Sequence, residues 1–73
     1  MNIGERVLFH TKDSHRLKNL CSSLIVEKTH MTIRIRILNV FYGDDFVIGD
    51  LVTSSEEYIL SERTAIKVVF ENL

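Results

Sequence analysis

Proline and tryptophan are absent from these 73 residues, cysteine occurs once and glycine three times. A single thiol, Cys21, rules out an internal disulfide, and a lone cysteine in so small a chain points away from secretion. The paired ligands of a structural zinc site are missing too. His10, His15, His30 and Cys21 are ligand types, but only His10 and His15 stand close together, and no second pair completes them. Fully apolar runs never exceed three residues, so no membrane-spanning segment is expected. The opening Met1-Asn2-Ile3-Gly4-Glu5-Arg6 lacks the charged-then-apolar plan of a signal peptide, and the expected address is the cytoplasm. A cysteine–histidine nucleophile would also need an orienting group and oxyanion donors, and nothing around Cys21 suggests them. Neither an enzyme, a metal nor a cofactor is expected.

What the chain does have is apolar content, 45% of its residues, spread along its whole length as one domain over residues 1–73. A domain this size buries only about 60% of the surface its unfolded chain exposes, so its stability margin is thin. Net charge is −1, but it is unevenly placed. Residues 1–36 carry seven Lys and Arg against three acids, +4; residues 37–73 carry two against seven, −5. Such polarity suits an electrostatic partner or self-association into a homodimer.

The clearest element is Met31 to Tyr42. Ile33, Ile35 and Ile37 alternate with Arg34 and Arg36, which predicts a strand with the isoleucines facing the core. At Leu38 the alternation changes phase, and Leu38, Val40 and Tyr42 fall on the arginine side, which predicts a bend or bulge. Glu5 to Thr11 reads as a strand with Val7 and Phe9 inward, followed by a polar turn over Lys12 to His15. Gly43-Asp44-Asp45 reads as a turn, Phe46 to Thr53 as a returning strand interrupted at Gly49-Asp50, and Thr64 to Phe70 as the last strand. Ser54 and Glu57 have capping-box spacing for a short helical turn. Residues 16–28 are ambiguous. Leu17, Leu20, Cys21, Leu24 and Ile25 make a helical stripe, whereas Ile25 and Val26 favour a strand from Leu24 to Lys28. The strand reading gives a mainly β fold, a small antiparallel SH3-like barrel of about five strands. The helix reading gives an α+β, βαββαβ two-layer sandwich.

Ile3-Gly4-Glu5-Arg6-Val7 and its echo Ile48-Gly49-Asp50-Leu51-Val52 resemble the Gly-acid-x-Val strand starts of SH3-like and Tudor or KOW-type barrels. Ile35-Arg36-Ile37-Leu38 running into Tyr42-Gly43-Asp44 is similar to the Tudor strand that ends in a Tyr-Gly turn. The resemblance spans about half the chain and implies the barrel. The aromatic cage with which such families hold methylated residues has no counterpart in these motifs, so no function carries over.

Two surfaces are candidates for binding. Asp44, Asp45, Asp50, Glu56 and Glu57 are five acids within fourteen residues, and Tyr42, Phe46 and Tyr58 lie among them, a combination suited to a protein partner. Lys28, Arg34 and Arg36 form a basic strand face that suits a nucleic-acid backbone instead. Tyr42-Gly43-Asp44-Asp45 spells the metal hairpin of RNA-dependent polymerases, but this chain is far too short for a polymerase palm. The expectation is a non-catalytic protein-binding module, a small regulatory, accessory or inhibitor protein of the kind phages and mobile elements encode. A nucleic-acid-binding module is the alternative.

Overall fold

The computed structural model of the protein describes residues 1–61. Five strands occupy them: β1 (Arg6–Asp13), β2 (Arg16–Lys28), β3 (Ile33–Tyr42), β4 (Leu51–Ser54) and β5 (Ile59–Ser61). One 3-10 turn, Glu56–Tyr58, precedes β5. All pairings are antiparallel and the order across the sheet is β4-β3-β2-β1-β5. The fold is therefore the mainly β, five-stranded antiparallel arrangement expected. Among the described residues β4 and β5 end the sheet, and no ladder joins them.

The ambiguous stretch is strand throughout, which removes the βαββαβ alternative. β2 is the central strand, and its burial shows why it imitated a helix. Asn19 to Ser23 are five consecutive buried residues, so both faces are covered and the apolar residues obey no strict alternation. Asn19, Ser22 and Ser23 are polar yet buried, which broke the apolar run into an apparent helical stripe. Ser14 sits at φ 57° in the two-residue turn between β1 and β2.

β3 places its residues as the alternation predicts: Ile33, Ile35 and Ile37 are buried and Arg34 and Arg36 exposed. The isoleucines pack with Val7, Phe9, Cys21, Ile25 and Ile59 as the core. The phase change at Leu38 is a bulge. Ser23 pairs with Ile37 and Ser22 with Asn39, so Leu38 is the extra residue. Alternation then resumes one step on, and Val40, opposite Cys21, packs against the core instead of joining the arginine face.

The expected strand Phe46–Thr53 shrinks to Leu51–Ser54 because Val47–Asp50 is a closed turn. Asp50 N–H donates to the Val47 carbonyl (3.1 Å) and Val47 N–H to Asp50 Oδ2 (2.9 Å), with Gly49 at φ 94°. A type-II-like turn needs positive φ at its third residue, which glycine adopts without strain. The sequence echo is also a structural echo. Glu5 N–H donates to Asn2 O, Gly4 N–H to Ile25 O and Ile25 N–H to Glu5 O. In the second turn Asp50 N–H donates to Val47 O, Gly49 N–H to Ile37 O and Ile37 N–H to Asp50 O. Each turn clamps a fully buried isoleucine of a neighbouring strand. The helical turn after β4 has Ser55, not Ser54, at its N-cap position, and no side chain caps it. The expected strand Thr64–Phe70 lies outside the described residues.

Candidate functional site

The acidic, aromatic segment does not form one continuous rim. The fold divides it into two lobes and uses two of its acids internally. Asp50 is tied into its own turn through Val47 N–H. Asp45 closes a clasp: Asn19 Nδ2 donates to Asp45 Oδ2 (2.7 Å) and to Thr11 Oγ1 (2.9 Å), and Asp45 N–H donates to Asn19 Oδ1 (3.3 Å). Lys18 Nζ lies 3.6 Å from the same carboxylate. The Asn19 hydrogen bond, reinforced by Lys18, holds the Asp45 carboxyl below the usual aspartate range despite the opposing effect of desolvation. Gly43 makes the clasp possible, because a Cβ there would overlap the Asn19 side chain and the Lys18 carbonyl.

The first lobe is the shallow hollow of Tyr42, Gly43, Asp44, Asp45 and Lys18. The Tyr-Gly-Asp-Asp tip therefore presents one free carboxylate, Asp44, and one already committed to Asn19 and Lys18. Among the described residues no three His, Cys, Asp or Glu side chains gather within reach of one ion.

The second lobe is a mostly apolar cleft of about 310 Å³. β1 contributes Phe9, the clasped loop Phe46, β4 Val52 and the 3-10 turn Tyr58, with Ser55 on its wall. Phe9 and Phe46 meet edge to face, 5.2 Å between centroids at 77°. The clasp makes this contact by pinning the residue before Phe46 to the central strand. Glu56 and Glu57 are exposed, and Glu57 Oε1 accepts a hydrogen bond from Ser55 Oγ (3.2 Å), which holds that carboxylate beside the cleft wall. Neither glutamate is in an ion pair among the described residues. Of the expected partner-binding residues, Phe46 and Tyr58 thus share one cavity with Glu57 at its edge, Tyr42, Asp44 and Asp45 line another, and Asp50 is tied into its own turn. Sequence reading assigned Phe9 only to the core and overlooked Asn19 and Val52. An asparagine set among Leu17, Leu20 and Cys21 was the one available sign of the clasp.

The basic face is locally occupied. Lys28 Nζ donates to the Met1 carbonyl (2.8 Å), Arg34 lies 3.8 Å from Glu27, and Arg36 Nη1 reaches the Gly49 carbonyl (3.4 Å). Tyr42 lines the acidic hollow rather than standing with these cations. Cys21 is fully buried, and burial pushes its thiol pKa up. No helix among the described residues is long and apolar enough to cross a membrane. Comparison with protein-family models, with curated proteins and with solved structures found no match to this chain.

Proposed function

We propose that this chain is a non-catalytic protein-binding module, a small regulatory, accessory or inhibitor protein whose working surface is the Phe9–Phe46–Val52–Tyr58 cleft. The observation that carries the reading is the cleft itself: a concave aromatic floor, pinned by a part-buried clasp, with the Glu57 carboxylate, in no ion pair among the described residues, held at its edge by Ser55. Rigid aromatic anchors beside charge are typical of surfaces where a few residues dominate affinity. The buried thiol argues against nucleophilic chemistry, since a reactive cysteine is exposed and has a lowered pKa. The nucleic-acid alternative through Lys28, Arg34 and Arg36 is the weaker reading, because each cation already has a partner within the chain.

The test is photo-crosslinking from Thr53, an exposed wall residue of the cleft, in extract of the source cells. The expected result is a discrete protein adduct that excess unlabelled wild type competes away and Tyr58→Ala does not. Absence of a competed protein adduct, together with salt-sensitive retention on mixed DNA, transfers the function to the basic face.

A further inference from the structure

We infer that the cleft receives a lysine or arginine side chain of the partner, its aliphatic stem on the aromatic floor and its cationic head at Glu57. This rests on the protein-binding reading and names the chemistry that reading leaves open.

Size comes first. At about 310 Å³ the cleft stands at the lower end of ligand sites, room for one long side chain rather than an extended surface. Its walls are of two kinds. Phe9, Phe46, Val52 and Tyr58 offer apolar surface, while Ser55 brings the Glu57 carboxylate to the edge through its hydroxyl. A purely apolar side chain would fill the floor but leave a carboxylate partly desolvated with nothing in exchange. Lysine and arginine match both walls, since their stems lie on apolar surface while the charged head stays at the edge. The aromatic rings add attraction for a cation seated near their faces.

The two ends of the cleft are not equivalent, and this sets the direction of the side chain. Asp45 adjoins the Thr11 end, because Asn19 Nδ2 bonds both Thr11 Oγ1 and Asp45, but its charge is already met by Lys18 at 3.6 Å. At the other end neither Glu56 nor Glu57 has a cation among the described residues. Among the described residues the unmatched negative charge therefore lies on the 3-10 turn side. The same charge disfavours a phosphate backbone in the cleft.

The probes are short acetylated, amidated glycine–serine peptides carrying one central arginine, lysine or norleucine, titrated into the full chain. NMR follows the ring resonances of Phe46 and Tyr58. The expected result is saturable movement of both rings with the arginine or lysine peptide, weakened by added salt. Norleucine should bind roughly two- to fivefold more weakly, the range of an exposed charge pair with some cation–π attraction. Glu57→Gln should bring the cationic peptides most of the way to the norleucine level, the aromatic attraction remaining, without moving the Phe9–Phe46 ring contact. Equal binding of norleucine and arginine overturns the inference and leaves a protein-binding apolar cleft. Shifts confined to Tyr42 and Asp44 overturn it by moving the basic site to the other lobe. No binding by any peptide also overturns it, while the crosslinking result judges the broader reading independently.

Discussion

Ile35 and Arg36 are neighbours in sequence with opposite fates, and the contrast sets a stability prediction. Ile35 is wholly buried, and truncation to alanine removes apolar contacts and leaves a cavity, so Ile35→Ala should cost about 2–5 kcal/mol. Arg36 is exposed and its side-chain hydrogen bond to the Gly49 carbonyl is long, so Arg36→Ala should cost less than about 1 kcal/mol. Urea denaturation ranks them, and the reverse order would mean the faces of β3 are inverted. His10 gives a pH prediction. Both its ring nitrogens are closed off from solvent and have no hydrogen-bond partner among the described residues, and burial, aided by Lys12, lowers its pKa. The unfolded chain then binds a proton more readily than the folded one. The stability this confers is present in full above the ordinary histidine value, about 6.5, and is lost as pH falls through the lower folded value. His10→Leu should therefore flatten the dependence of melting temperature on pH between about 7 and 5. An unchanged slope would assign the titration elsewhere. Strict alternation made Ile35 and Arg36 legible in the sequence. His10 was not legible, because period-two patterning assigns a face but does not reveal what covers that face.

Turns and strands explain the rest of what could and could not be read. The bulge at Leu38 was visible because a phase change within one strand has few physical causes. The twin turns before β1 and β4 were visible only as repeated letters; that each clamps a buried isoleucine depends on strands distant in sequence. β2 was misleading because a strand covered on both faces loses the two-residue period that identifies one. The acidic segment was read as a single rim since its residues are close in sequence, whereas the Asn19 clasp joins positions 26 residues apart and divides it. That clasp makes a prediction about the loop. Gly43→Ala pushes a methyl group into Asn19 and the Lys18 carbonyl, so it should cost more than about 1 kcal/mol. It should also release Phe46 from Phe9, seen as loss of ring-current shifts between the two. A variant with wild-type stability and an intact ring contact would show the clasp to be dispensable.

At the scale of the whole molecule, the charge polarity of the two halves meets in few ion pairs among the described residues. Lys18–Asp45 joins a basic-half residue to an acidic-half one, but Arg34–Glu27 lies within the first half, and Glu56 and Glu57 enter no ion pair among the described residues. The bulge brings Leu38 and Val40 to half burial, yet Val47, Ile48 and Leu51 remain 63%, 68% and 49% exposed beside the short strand β4, an end strand among the described residues. An end strand next to exposed apolar side chains is an invitation to pair. A homodimer is the expected outcome in sedimentation at concentrations on the order of tens of micromolar, with an unfolding midpoint that rises with protein concentration. A monomeric profile at low salt with a concentration-independent midpoint would exclude it. The solitary sulfur adds one more use of the architecture. Cys21 sits in the middle strand, opposite Phe9 on one side and Val40 on the other, with none of its surface in water. No reagent can touch it until a flanking strand peels away. The rate at which a thiol-specific dye is consumed is therefore a clock for the opening of the sheet, readable without any mutation. A partner that seats in the cleft should make that clock run slower.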